Sequence, residues 1–354
     1  MSKFFSTKYS SLEPYTPGEQ PKERKFIKLN TNESPFPPSP RAVELATEAA
    51  GRVELYSDPE CKKLHAKIAQ LYGIDENCVL CTNGSDEILN FAFMAFCDGE
   101  HPAVFPNITY GFYSVFAQLN GVLFEEIPLR EDFTLNVDDY VGINKTVFIA
   151  NPNAPTGIAL TLDEVERIVA SNPESVVIID EAYVDFGAQS AVGLIGKYKN
   201  LLVTQTFSKS RSMAGARLGF GIACPELIAD LNTIKYSTNP YNVNSITMAM
   251  GIGTLEDEKY TRANCTSIME NREFAAEQLK AMGFELTDSK ANFLFAKHPD
   301  IGGGEIYGKL RERGILVRHF SKSEIAQYNR ITVGSKEQMQ ALVGALRDIV
   351  LEVK

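Results

Sequence analysis

Between residues 78 and 224 short apolar runs alternate with amphipathic stretches, and this rhythm limits the possible folds more than any other feature. The runs are CVLCT (78–82), AVFP (103–106), TVFIANP (146–152), VVIID (176–180), LLVTQTF (201–207) and LGFGIA (218–223). They are rich in β-branched residues and do not alternate apolar with polar, as strands covered on both faces should not. Between them lie helical patterns such as SDEILNFAFMAFC (85–97) and TLDEVERIVAS (161–171). Strands alternating with helices imply an α/β architecture with a mostly parallel sheet flanked by helices. In such a sheet the ligand site lies in the loops at the carboxyl ends of the strands.

The flanking segments differ. Residues 1–40, rich in Pro and Ser and ending in SPFPPSP, read as an extended arm over a small domain or dimer surface. Residues 41–73 read as helical, with Leu64, Ile68 and Leu71 on one face. From about 250 a long helical stretch (256–282) precedes NFLFA (292–296), a helix, ILVRHF (315–320), RITVG (330–334) and a last helix to Lys354. The expected organisation is an arm (1–40), a large α/β domain (41–250) and a smaller α+β domain (251–354).

Several function classes are disfavoured. A net charge of −10 repels a phosphate backbone, so nucleic acid is not an expected partner. No apolar run reaches the ~18 residues of a membrane span. The N-terminus lacks an apolar signal core, and Glu13, Glu19 and Glu23 do not suit a transit peptide, so a cytoplasmic location is expected. The six cysteines make no disulfide framework, Cys78 and Cys81 read as part of a strand, and the four histidines have no ligand spacing, so no metal site is expected.

Four loops after the strands carry polar residues. TNGSDE (82–87) is a Gly turn into a helix start, where free N–H groups and the macrodipole favour an anion; by itself it reads rather as a plain cap. NPNAPTG (151–157) is held to one shape by two prolines. Asp180 ends a buried strand, where a carboxylate needs a partner, either an internal cation or a cationic ring nitrogen. In TFSKSRSMAGARLGFG (206–221), Lys209 follows a buried strand, where desolvation favours an amine nucleophile; alone it reads rather as an exposed loop lysine. Thr206, Ser208 and Arg217 are placed to hold a phosphate.

Taken in this order, the four loops resemble the fold-type I pyridoxal-phosphate enzymes, and among them the aminotransferases carrying N-P-x-x-P-T-G and S-K-x-x-x-x-A-G-x-R-x-G. The resemblance runs from LNTNESPF (29–36) to RITVG (330–334). It implies pyridoxal 5'-phosphate held as a Schiff base on Lys209, which also moves the substrate proton. It implies that Asp180 pairs with the pyridine nitrogen, Tyr183 bonds the ring hydroxyl oxygen and Tyr110 stacks on the ring. Ser85 and Asp86 would bind the phosphate through backbone N–H groups, with Thr206, Ser208 and Arg217. Tyr56 would reach the phosphate in a neighbouring subunit, which makes a homodimer the expected state. Many relatives have Asn before P-T-G, contacting the ring oxygen; here that residue is Ala154, and Asn153 is the candidate substitute.

PYTPGEQ (14–20), YSDPE (56–60), PNITYGFY (106–113) and VRHF (317–320) add a resemblance to the histidinol-phosphate aminotransferase subfamily. It implies that Arg330, Arg318 and Tyr15 bind the anionic part of the substrate. Guanidinium forks, expected at the ends of two short strands, suit both a phosphate and a dicarboxylate. The implied reaction is ping-pong transamination in histidine biosynthesis, converting L-histidinol phosphate and 2-oxoglutarate to imidazole acetol phosphate and L-glutamate. Two alternatives share the cofactor motifs: a threonine-phosphate decarboxylase of cobalamin synthesis and an aromatic amino acid aminotransferase. A non-catalytic relative would be expected to have lost Lys209 or Asp180, and both are present.

Overall fold

The computed structural model describes residues 2–10, 12–21 and 25–353. In chain order its strands are β1 (Ile27–Lys28), β2 (Val79–Thr82), β3 (Ala103–Pro106), β4 (Phe124–Ile127), β5 (Thr146–Ala150), β6 (Val177–Asp180), β7 (Leu201–Thr206), β8 (Gly219–Ala223), β9 (Glu285–Leu286), β10 (Phe293–Lys297), β11 (Ile315–Leu316), β12 (Arg318–His319) and β13 (Asn329–Thr332). Its helices are α1 (Pro40–Ala50), α2 (Lys62–Tyr72), α3 (Ser85–Phe96), α4 (Phe112–Asn120), α5 (Leu162–Ser171), α6 (Pro225–Thr238), α7 (Ser245–Glu256), α8 (Glu258–Ala281), α9 (Gly303–Glu312) and α10 (Lys336–Val353). Lys354, at the end of the expected last helix, lies outside the described residues.

β2-β8-β7-β6-β5-β3-β4 form one sheet. From β4 through β3, β5 and β6 to β7 every pairing is parallel, and β8 runs antiparallel to both β7 and β2. The sheet is thus mainly parallel, as expected. The missing apolar–polar alternation has a direct cause. Val147, Ile149, Val177, Ile179, Leu201 and Val203 face one apolar layer, while Phe148, Ala150, Ile178 and Leu202 face the other. Each face is buried, so successive residues of the central strands are apolar until their carboxyl ends, where Asp180 and Thr204 to Thr206 begin the polar edge.

A second core gathers α8, α9, α10 and the sheet β12-β13-β10-β9. The arm enters it. Ile27 pairs in parallel with Ile315, and Leu29 is buried there.

Some expectations shift. The single helical stretch 41–73 is two helices, because Gly51 ends α1, Pro59 disfavours helix at Asp58, and Cys61 takes φ 50° before α2. The stretch 256–282 is α8, separated from α7 at Asp257; α7 runs across residue 250 and packs on α1 and α2. β4 escapes a search for apolar runs because FEEI carries two exposed acids on an edge strand. ILVRHF divides at Val317 into β11 and β12, which join different sheets.

Candidate active site

The parallel register brings three strand ends together. Ala150 stands opposite Asp180, and Asp180 opposite Thr204, so the loops after β5, β6 and β7 open on the same edge. β8 begins there: Gly219 pairs with both Thr206 and Thr82. Gly219 also lies against the start of α3. A Cβ at this position would fall 2.2 Å from the Ser85 backbone nitrogen, so only glycine lets β8 and α3 close on one another. Gly219→Ala is therefore expected to destabilise the chain by about 1–3 kcal/mol, measurable by chemical denaturation.

The α3 start and the loop after β7 enclose a cleft of about 390 Å³, lined in part by Ser85, Asp86, Thr206, Ser208, Arg217 and Asp180. Gly84, at φ 82°, lets Arg217 lie over the helix start, since a Cβ at Gly84 would sit 2.6 Å from Arg217 Nη2. Arg217 Nη2 donates to Asp86 Oδ2 at 2.9 Å, and the Tyr110 hydroxyl donates to Asp86 Oδ1 at 2.7 Å. Ser208 N donates to Thr206 Oγ1 at 3.1 Å. Two hydroxyls, a guanidinium and a helix N-terminus thus converge on one corner.

At the opposite end of the cleft Asp180 is 4% exposed. Tyr113 donates to Oδ2 at 3.1 Å and Thr204 to Oδ1 at 3.2 Å. Burial still outweighs these bonds and pushes the carboxyl up to about 6. Among the described residues no lysine or arginine pairs with Asp180. It is a buried acid without a cation.

A larger cavity of about 580 Å³ adjoins the first. Tyr15 stacks on Phe112 at 4.2 Å on one wall. Arg318 and Arg330 are cross-strand neighbours on β12 and β13. Arg318 donates to the Thr16 and Pro17 carbonyls at 3.1 and 3.2 Å, and Arg330 Nη2 to the Asn30 carbonyl at 3.1 Å. Arg330 Nε is buried without a partner, and burial lowers the Arg330 pKa. Among the described residues neither arginine is paired with a carboxylate. Two adjacent cations, of which Arg330 is desolvated, hydrogen-bond only to carbonyls and favour an incoming anion.

Lys209, Tyr110, Tyr183, Thr31 and Ala154 line both cavities, so Lys209 stands at their junction. Its Nζ donates to the Thr31 carbonyl at 3.3 Å and lies 5.8 Å from the centre of the Tyr183 ring. The two residues after it fix its loop, since Ser210 and Arg211 both bond Asp185 beneath the site.

The structure therefore brings together Lys209, Asp180, Tyr183, Ser85, Asp86, Tyr110, Thr206, Ser208 and Arg217, with Tyr15, Arg318 and Arg330 next to them. Two expectations need correction. Asn153 lines neither cavity: its amide donates to the Ile108 carbonyl and Thr156, and its Oδ1 accepts from Thr109 at 2.8 Å, so its hydrogen bonds tie its loop to the loop after β3. Tyr56, expected to act in a neighbouring subunit, is 84% exposed, stacks on Tyr241 at 4.6 Å and lines neither cavity of its own chain, which leaves that expectation as it stands. The arginines do not end strands: Arg318 opens β12 and Arg330 lies within β13. Tyr113, Thr204 and Asn32 were not evident from sequence. Tyr113 and Thr204 lie within segments already singled out, but only the fold shows that both meet Asp180.

Residues 24–346 match the model of the family described as aminotransferase class I and II. The chain is 47% identical over 352 residues to a histidinol-phosphate aminotransferase of Brachyspira hyodysenteriae, covering 99% of each chain. It is 48% identical to one of Acinetobacter baumannii, covering 99% of this chain and 98% of that one. The chain belongs to the histidinol-phosphate aminotransferase family. A solved histidinol-phosphate aminotransferase of Sinorhizobium meliloti, in complex with pyridoxal-5'-phosphate, matches the fold with TM-score 0.90 at 22% identity, covering 100% of this chain and 99% of that one. The histidinol-phosphate aminotransferase likeness thus spans arm, central sheet and second core together.

Proposed function

We propose that this chain is a pyridoxal-phosphate-dependent transaminase that exchanges an amino group between L-histidinol phosphate and 2-oxoglutarate in histidine biosynthesis. The observation that carries the reading is the position of Lys209, between a cleft with an anion corner and an unpaired buried acid, and a cavity with two carboxylate-free arginines.

The cofactor fits the smaller cleft on structural grounds. Its phosphate suits the corner of Ser85, Thr206, Ser208 and Arg217, which Gly84 and Gly219 leave open. Asp180 lacks a cation, and a protonated pyridine nitrogen supplies one. Tyr110 offers an aromatic face and Tyr183 a hydroxyl. When bound as a Schiff base, the cofactor supplies an electron sink for the bond broken at the substrate α-carbon.

The remaining work falls to the chain. Lys209 Nζ, once released, moves the proton at the α-carbon. Arg330 and Arg318 hold the anionic end of either substrate. Tyr15 and Phe112 cover the cavity from the arm side and exclude water. In this reading Asp86 keeps Arg217 and Tyr110 in place rather than meeting the phosphate with its own carboxylate. The proposed assembly is a cytoplasmic homodimer in which exposed Tyr56 reaches the partner's phosphate corner. No described helix is long and apolar enough to cross a membrane. The arm, the large α/β part and the smaller α+β part are proposed as its working units.

The test is a substrate panel scored by loss of the visible band of the bound cofactor. Glutamate and histidinol phosphate should each discharge it. Carbon dioxide release from threonine phosphate, or faster turnover of phenylpyruvate than of imidazole acetol phosphate, would replace this reading with one of its alternatives. Arg330→Ala should raise KM for both the phosphate and the glutamate substrate, at a cost of about 2–5 kcal/mol each. Unchanged KM values for both would refute the substrate assignment.

A further inference from the structure

The asparagine that many relatives carry before P-T-G is Ala154 here, and Asn153 is bonded to Ile108 and Thr109 in the loop after β3. A different amide, from the arm, reaches Tyr183. Asn32 is 1% exposed and lines the larger cavity beside Ala154, Tyr183 and Lys209. Its Nδ2 donates to the Tyr183 hydroxyl oxygen at 3.0 Å.

The rest of Asn32 is locked. Its backbone N–H donates to Thr332 Oγ1 at 2.9 Å, and that hydroxyl donates to Asn32 Oδ1 at 3.0 Å. The Asn292 amide donates to its carbonyl at 3.0 Å. The residue sits at φ 56°, a conformation that asparagine tolerates better than most side chains. With Oδ1 engaged by Thr332, Nδ2 faces Tyr183. A phenol oxygen that accepts from Asn32 keeps its own proton free to donate elsewhere.

We propose that Asn32 is a positioning residue that replaces the asparagine missing at 154: it fixes the Tyr183 hydroxyl as a donor toward the cofactor ring oxygen and ties that orientation to β13 through Thr332. This rests on the proposed cofactor site at Lys209. The arm thereby becomes part of the cofactor site. Its Leu29 is anchored in the second core, so the hydrogen bond to Tyr183 depends on how that core lies against the central sheet.

The experiment uses the full chain, purified as holoenzyme and stripped to the apoprotein. Two quantities are read: the pH midpoint of the cofactor's visible band, and the Kd for pyridoxal phosphate added to apoprotein, followed by tyrosine fluorescence. Asn32→Ala should raise the midpoint by about one pH unit and the Kd roughly tenfold. Asn32→Asp keeps the size and tolerates the positive φ but exchanges the donor for an acceptor, and should shift both quantities at least as far. Adding Ala154→Asn to Asn32→Ala should bring the midpoint back toward wild type. Midpoints and Kd values unchanged in both single variants would overturn the proposal, and so would a shift that Ala154→Asn leaves uncorrected. A wild-type chain without any visible band would instead refute the cofactor reading itself.

Discussion

Lys209→Ala is expected to lose the visible cofactor band and to lower transamination by on the order of 10⁴-fold or more. The size of the effect follows from the two roles that meet at one atom. In the proposed reading Nζ both holds the cofactor and moves the substrate proton, and among the described residues no second lysine lines the cofactor cleft. Lys322 lines the larger cavity, but it donates to the Asn107 carbonyl at 2.8 Å, on the arm-facing side. The variant should still fold, because Ser210, Arg211 and Asp185 fix the loop without the lysine. Absorbance, a single-turnover assay and circular dichroism check the three statements. An active, folded variant would end the assignment.

Asp180→Asn is expected to slow turnover by roughly 10²–10³-fold and, in the cofactor-free chain, to change stability in the opposite sense. The Asp180 carboxyl is raised from 3.8 to about 6, chiefly by burial, and burial likewise raises Glu181 from 4.5 to about 7. Both groups bind a proton more tightly folded than unfolded. Their contribution to stability is therefore full below about pH 4 and is lost as pH rises through 6 and 7. Apoprotein should lose of order 1–3 kcal/mol over that span on account of Asp180. Asparagine cannot ionise, so the apo variant should show a flatter decline. Bound cofactor should flatten the wild-type curve as well, since a ring cation stabilises the Asp180 anion. Thermal melts of apo and holo forms between pH 4 and 8 check this. Identical pH slopes in wild-type and variant apoprotein would refute the buried, unpaired state of Asp180.

The central sheet was legible because its physics is local. A strand buried on both faces must be apolar at successive positions, and VVIID, LLVTQTF and TVFIA announce this in five to seven letters each. β4 was not, because an edge strand with Glu125 and Glu126 outward has no such requirement. The breaks at 51–61 and at Asp257 were hidden because amphipathic spacing persists across short turns. Among site residues, Lys209, Asp180 and Arg217 were readable from loops adjoining strands. Asn153 misled because sequence adjacency to Ala154 says nothing about which way a side chain points.

By itself the sequence determined the α/β class, the four polar loops at the strand ends and, through the resemblance of those loops, the lysine and the aspartate of the proposed cofactor site. These depend on short-range pattern. Only the tertiary structure decided that Tyr113 and Thr204 hold Asp180, that Arg318 and Arg330 stand side by side with no carboxylate partner among the described residues, and that Asn32 reaches Tyr183 across 151 residues of chain. Each of those contacts joins segments whose approach is set by the packing of two cores. No local spacing encodes where a buried donor finds its acceptor.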